Sequence, residues 1–170
     1  MTSITCHPLR NEDQATEVAK LVWEFFDHLR ERYSERAADI DAYIAYQNIS
    51  DQLTNWKTHF TPPAGECLLA KLDDKPVGIV MLRNLKNGLC EMNRMYVTDR
   101  ARGYKVGRTL AERVIEAAKE MGFKEMRLDA WDRHKEALPL YTSLGFEREY
   151  NDNLKPDTMT YEMVHMRRQL

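Results

Sequence analysis

The chain has 170 residues, 43% of them hydrophobic and 31% charged, enough for one compact domain over residues 1–170 with a core of its own. Its 25 basic and 27 acidic residues leave a formal charge of −2, which argues against nucleic acid and anionic membrane as partners. Three widely spaced cysteines without a C-x-x-C, five scattered histidines and no signal-length or membrane-length apolar run exclude a disulfide framework and a zinc motif, and predict a soluble cytoplasmic protein.

In chain order, Ile4 to Leu9 reads as a short strand. Asn11 with Gln14 three residues later has the form of a capping box. Ala15, Val18, Leu21, Val22, Phe25 and Leu29 then supply the apolar face of a helix. A second helical region is expected between about Glu35 and Trp56, with Ile40, Tyr43, Ile44 and Leu53 at less regular spacing, and Thr61-Pro62-Pro63-Ala64-Gly65 ends it. From Glu66 the pattern changes to strands: Cys67 to Ala70, a turn at Asp73-Asp74-Lys75-Pro76, then Val77 to Leu82. Asn87-Gly88 signals a tight hairpin into a third strand, Leu89 to Val97.

After a turn at Thr98-Asp99-Arg100 comes Arg102-Gly103-Tyr104-Lys105-Val106-Gly107-Arg108, and then Leu110, Val114, Ala117, Ala118 and Met121 on one helical face. Gly122 stops this helix where a left-handed residue fits. A helix N-terminus offers unbonded N–H groups and a partial positive charge, so the loop reads as an anion site, with arginine able to grip a phosphate through two hydrogen bonds. The pattern by itself equally suits an ordinary basic loop. A strand with Met126, Leu128 and Ala130 on one face follows, then a helix between His134 and Leu144, and strands near Phe146 to Tyr150 and Thr158 to Met166. The fold class is therefore α/β in the mixed α+β sense: a mainly antiparallel mixed sheet of about six to seven strands flanked by about four helices.

Three segments in this order resemble the GNAT superfamily of N-acetyltransferases: Glu91-Met92-Asn93-Arg94-Met95-Tyr96-Val97, the Arg102 to Arg108 loop, and Ala137-Leu138-Pro139-Leu140-Tyr141-Thr142-Ser143-Leu144-Gly145-Phe146. The resemblance covers nearly the whole chain and is most specific from Glu66 to Phe146. The stretch from Pro62 to Leu85 also resembles a bacterial subgroup whose members mostly have unassigned substrates. What the resemblance implies is an acetyl-CoA-dependent transfer to a primary amine in a direct ternary complex, with acetyl-CoA as co-substrate and no metal. It further implies that the strand at Met95, Tyr96 and Val97 pairs with the pantetheine arm, and that Arg102, Gly103, Tyr104, Lys105, Val106, Gly107 and Arg108 cradle the pyrophosphate. His134 stands where many members contact the cofactor through asparagine. Tyr141 matches the residue that protonates the departing thiolate, and Glu91 a position that often carries the base, commonly through water. A homodimer through the C-terminal strands is a further family likeness.

The chemistry asks for these groups. A lysine-like amine has a pKa of about 10.4, so presenting its lone pair at pH 7 costs roughly 4–5 kcal/mol, which a base or a desolvating pocket offsets in part. Backbone N–H groups around Met95, Tyr96 and Val97 suit the oxyanion. Phe25, Phe26, Asp27, Glu31, Tyr33 and Trp56 are candidates for lining the acceptor site, with Asp27 and Glu31 suggesting a cationic amine. Three departures stand out: Lys105 where the family has glycine, His134 for asparagine, and Pro139 in a helix, which predicts a helix starting near Glu136 or a kinked one. The alternative is a catalytically inactive acyl-CoA-binding regulatory or interaction module of the same fold.

Overall fold

The computed structural model describes residues 2–150 and 163–170. Among these, seven strands form one sheet in the order β1-β2-β3-β4-β5-β7-β6: β1 (Ile4–Pro8), β2 (Gly65–Leu72), β3 (Lys75–Lys86), β4 (Leu89–Val97), β5 (Glu125–Trp131), β6 (Glu147–Arg148) and β7 (Met163–Gln169). All neighbours are antiparallel except β4 and β5. The expected strand beginning at Thr158 has its first residues outside the described ones, and its described part is β7.

The central strands are apolar on both faces because both faces are covered. Leu68 and Ala70 of β2 and Val80 and Leu82 of β3 pack with α5 (Val106–Glu120), whose buried stripe is Val106, Leu110, Val114 and Ala118. Their alternate neighbours, Cys67, Leu69, Ile79 and Met81, pack with Val18, Leu21, Val22 and Phe26 of α1 (Glu12–Arg32). Period-two alternation thus splits each strand between two cores. At the head of α1, Asn11 Oδ1 accepts from Gln14 N at 2.9 Å and Gln14 Oε1 accepts from Asn11 N at 3.2 Å, the expected capping box.

The second helical region is three helices rather than one, α2 (Ala37–Tyr46), α3 (Ile49–Thr54) and α4 (Trp56–His59), which raises the helix count from about four to six. Asn48 breaks it by adopting a left-handed conformation, φ 51°, a state that asparagine tolerates better than most residues. The last helix, α6 (Ala137–Ser143), begins beside Glu136, so Pro139 falls in its first turn, where a missing N–H has no intrahelical acceptor to disappoint. Gly122 takes φ 84° just past α5, as expected of a helix stop.

Candidate active site

The site originates in a mismatch between β4 and its neighbours. β4 pairs with β5 only over Leu89, Cys90 and Glu91, whereas β5 is bonded along its whole length to β7. Beyond Glu91 the two strands part, and the β5-facing edge of β4 from Met92 to Val97 is left open. On the other side β4 takes three steps, from Asn93 to Tyr96, where β3 takes two, from Met81 to Ile79. The extra residue is a β-bulge, and Arg94 adopts φ 47° within it.

Between the parted strands lies a cavity of about 940 Å³, within the range of small-ligand sites. Glu91, Met95, Tyr96 and Val97 of β4 and Tyr141 of α6 all line it, together with Arg102 and His134. Tyr141 is 8% exposed, packs edge-on against Phe146, and burial pushes its hydroxyl up to about 12. Glu91 accepts a 2.6 Å charged hydrogen bond from Arg83 and a 3.3 Å one from Asn93 Nδ2, which orient its carboxylate. No cysteine lines the cavity among the described residues. Burial raises the thiols of Cys6, Cys67 and Cys90, the last to about 12.

At one end stands the start of α5. Its first hydrogen bond from the cap runs from Thr109 N to Lys105 O at 3.0 Å, so the N–H groups of Val106, Gly107 and Arg108 precede the intrahelical ladder. Lys105 caps the helix in the left-handed region, φ 58°. That conformation costs an L-residue about 1–2 kcal/mol and explains why glycine would be favoured there. Gly103 has φ 84° and open space around its Cα, so conformation rather than room accounts for the glycine. Arg102 pairs with Asp99 at 2.7 Å in an exposed contact, and Arg108 donates to Ser143 Oγ at 2.7 Å. Arg102 lines the cavity, while residues 103–108 stand outside its lining.

The opposite end is closed by α1 and α2. Phe25, Phe26, His28 and Tyr43 line it. Of the six candidates for this end, only the two phenylalanines line it. Asp27 faces solvent and pairs with Arg30, and Glu31 is exposed. Tyr33 and Trp56 are core residues, 1% and 5% exposed. Tyr33 instead supports the wall, with its ring 4.2 Å from Trp131 and 5.5 Å from His134. Around it, Arg32 pairs with Glu136 and Arg133 with Glu35, clamping the end of α1 and the turn after it to the turn before α6. Burial, followed by the charge of Arg32, depresses His134 to about 4, so its ring is neutral at physiological pH.

Sequence reasoning passed over Arg83, the partner of Glu91, and Arg94. Arg94 lines the cavity from the bulge, donating to Gln52 Oε1 at 3.0 Å. The positive φ that places it there has no glycine to announce it.

Residues 17–146 match the Acetyltransferase (GNAT) family. The chain is 34% identical over 106 residues to an uncharacterised N-acetyltransferase of Schizosaccharomyces pombe, covering 61% of this chain and 65% of that one. It is 40% identical over 70 residues to the uncharacterised N-acetyltransferase YjgM of Escherichia coli, covering 41% of this chain and 42% of that one. The matches thus span less than two thirds of these relatives' length. Among solved structures, the PaiA N-acetyltransferase of Thermoplasma acidophilum, in complex with coenzyme A, superimposes with a TM-score of 0.73 at 17% identity over 99% of both chains.

Proposed function

The chain belongs to the GNAT family of acetyltransferases, and on that premise we propose that residues 1–170 form one catalytic domain that acetylates a primary amine from acetyl-CoA in a direct ternary complex. The observation that carries this reading is a single cavity bringing Glu91, the open edge of β4 at Met95, Tyr96 and Val97, and Tyr141 together. The Thermoplasma neighbour's coenzyme A supports the choice of co-substrate. When bound, acetyl-CoA supplies an activated acetyl thioester. The residues present suit it: unbonded N–H groups at the start of α5 and the charges of Arg102, Lys105 and Arg108 fit a pyrophosphate, and an open strand edge fits the amide-bearing pantetheine arm.

Each remaining task falls to a group of this chain. Glu91, held by Arg83 and Asn93, removes the proton that an ammonium acceptor carries, directly or through water. N–H groups around Met95, Tyr96 and Val97 stabilise negative charge on the acyl oxygen. Tyr141, protonated across the physiological range, donates its proton to the sulfur leaving group. With no cysteine lining the cavity among the described residues and all three thiols raised by burial, a covalent acetyl-cysteine route lacks a nucleophile.

The test is thiol release from acetyl-CoA across a broad panel of primary amines, paired with calorimetry for acetyl-CoA alone. Transfer predicts binding and amine-dependent release. Binding with no release on any amine would replace this reading with that of an inactive acyl-CoA-binding module.

A further inference from the structure

Arg94 is a half-buried cation that the acetyl-transfer scheme does not use. It lies on the α1–α2 side of β4, away from the start of α5. Its Nη1 meets two neutral atoms, Gln52 Oε1 at 3.0 Å and Met81 Sδ at 3.5 Å. Its Nε is sealed from solvent with no acceptor. Among the described residues no carboxylate lies within ion-pairing distance of it; Glu91, whose charge it feels, is hydrogen-bonded to Arg83 at 2.6 Å. The other arginines lining the cavity are engaged: Arg32 with Glu136 and Arg102 with Asp99. A desolvated guanidinium facing neutral atoms is costly unless an anion completes it.

We propose that Arg94 receives the carboxylate of the acceptor, so that the substrate is a small primary amine that also carries a carboxylate, an amino acid rather than a simple amine, polyamine or protein lysine. The inference rests on the acetyl-transfer reading of the same cavity. A planar guanidinium fork matches a carboxylate through two parallel hydrogen bonds. Arg94 and Glu91 lie three residues apart on β4 and line one cavity, so a single short acceptor meets both, its carboxylate at one and its ammonium at the other. Phe25 and Tyr43 line the same cavity and give it apolar surface. The cavity of about 940 Å³ holds an amino acid beside the acyl end of the co-substrate without strain on its volume.

The experiment compares the nineteen amino acids with a primary amine, β-alanine and 4-aminobutyrate with their carboxamides, by thiol release, in the wild type, Arg94→Gln and Arg94→Lys. The best acid should exceed its amide in kcat/KM by roughly 10- to 100-fold, the range of a hydrogen-bonded charge. Arg94→Gln should erase that preference through KM, and Arg94→Lys should restore part of it. A second arm needs no turnover: ligand-detected NMR with N-acetyl amino acids and N-acetyl amino amides, in the presence of CoA. The acids should bind the wild type and not Arg94→Gln, with thermal melts confirming that the variants fold. Equal use of acids and amides, an equal loss on both in Arg94→Gln, or undiminished binding of the acids to that variant would each overturn the assignment. Release with simple amines alone would overturn it while sparing acetyl transfer. No release with any amine would sink the transfer reading, and the NMR arm would then decide Arg94 alone, with failure of the acids to bind the wild type counting against it.

Discussion

The two ends of the cavity are built from different materials. At the α5 end the groups on offer are backbone: the open edge of β4 along the cavity and, just beyond its lining, the N–H groups of residues 106–108, with the basic side chains exposed or held in solvent-screened contacts. At the α1–α2 end they are side chains: Phe25, His28, Tyr43 and the desolvated Arg94. Backbone donors come with the fold and tolerate side-chain change. Side-chain donors are particular to one chain and set what it accepts. The first end should therefore resist mutation and bind the shared co-substrate, and the second should respond selectively.

Tyr141 sits in the wall that both ends share. Tyr141→Phe removes one oxygen and no packing, and should lower kcat by about 10²- to 10³-fold, within the range of general-acid catalysis, while calorimetry finds acetyl-CoA affinity within twofold. A parallel loss of affinity would mean that the hydroxyl holds the co-substrate rather than serving the sulfur. Glu91→Gln keeps the strand and the Arg83 contact but removes the base. Its kcat/KM should fall by about 10- to 100-fold at pH 7 and recover as pH approaches the amine's own pKa, because free amine then needs no base. A loss independent of pH would assign Glu91 a structural part.

His134 gives a test through stability. In the unfolded chain it takes up a proton near its ordinary 6.5, whereas in the folded chain burial holds it to about 4. Between those values the unfolded state binds more protons, so stability falls as pH falls. Glu136, held down to about 2 by Arg32 from an ordinary 4.5, adds a loss in the same direction at lower pH, between 4.5 and 2. The window from 6.5 to 4.5 is thus governed by His134, and His134→Gln should flatten denaturant midpoints across it. An unchanged slope would show that the imidazole is solvated.

The smallest effect belongs to the backbone-built end. Lys105→Gly relieves the left-handed strain and returns some chain entropy to the unfolded state, for a net gain of about 0.5–1 kcal/mol by urea denaturation. Acetyl-CoA affinity should stay within a few-fold if the N–H groups do the binding. A large fall would transfer the grip to the lysine charge and weaken the contrast between the two ends.

The same contrast decides what could be seen in the sequence. The meander, α5 and the start of α6 were legible because hairpin glycine, apolar period and proline each act locally: Asn87-Gly88, the Val106 to Ala118 stripe, and Pro139 all stand where the pattern put them. The α1–α2 end was not, because its geometry depends on non-local events. Asn48 divides a helical region whose spacing gave no clear break. Arg94 reads as an ordinary polar position in strand alternation and turns into the cavity only because of a bulge against β3. Tyr33 and Trp56, candidates for the acceptor site or for the core, fill the core, since a large aromatic near a site has two uses that sequence does not separate.

One cavity should hold the co-substrate across β4 with its sulfur at Tyr141, and a crystal structure with acetyl-CoA bound would show whether it does. The pyrophosphate is expected on the N–H groups of residues 106–108, the pantetheine along the open edge of β4, and the sulfur within hydrogen-bonding distance of the Tyr141 hydroxyl. A pyrophosphate seated away from the start of α5, or a thioester pointing away from Tyr141, would contradict this arrangement.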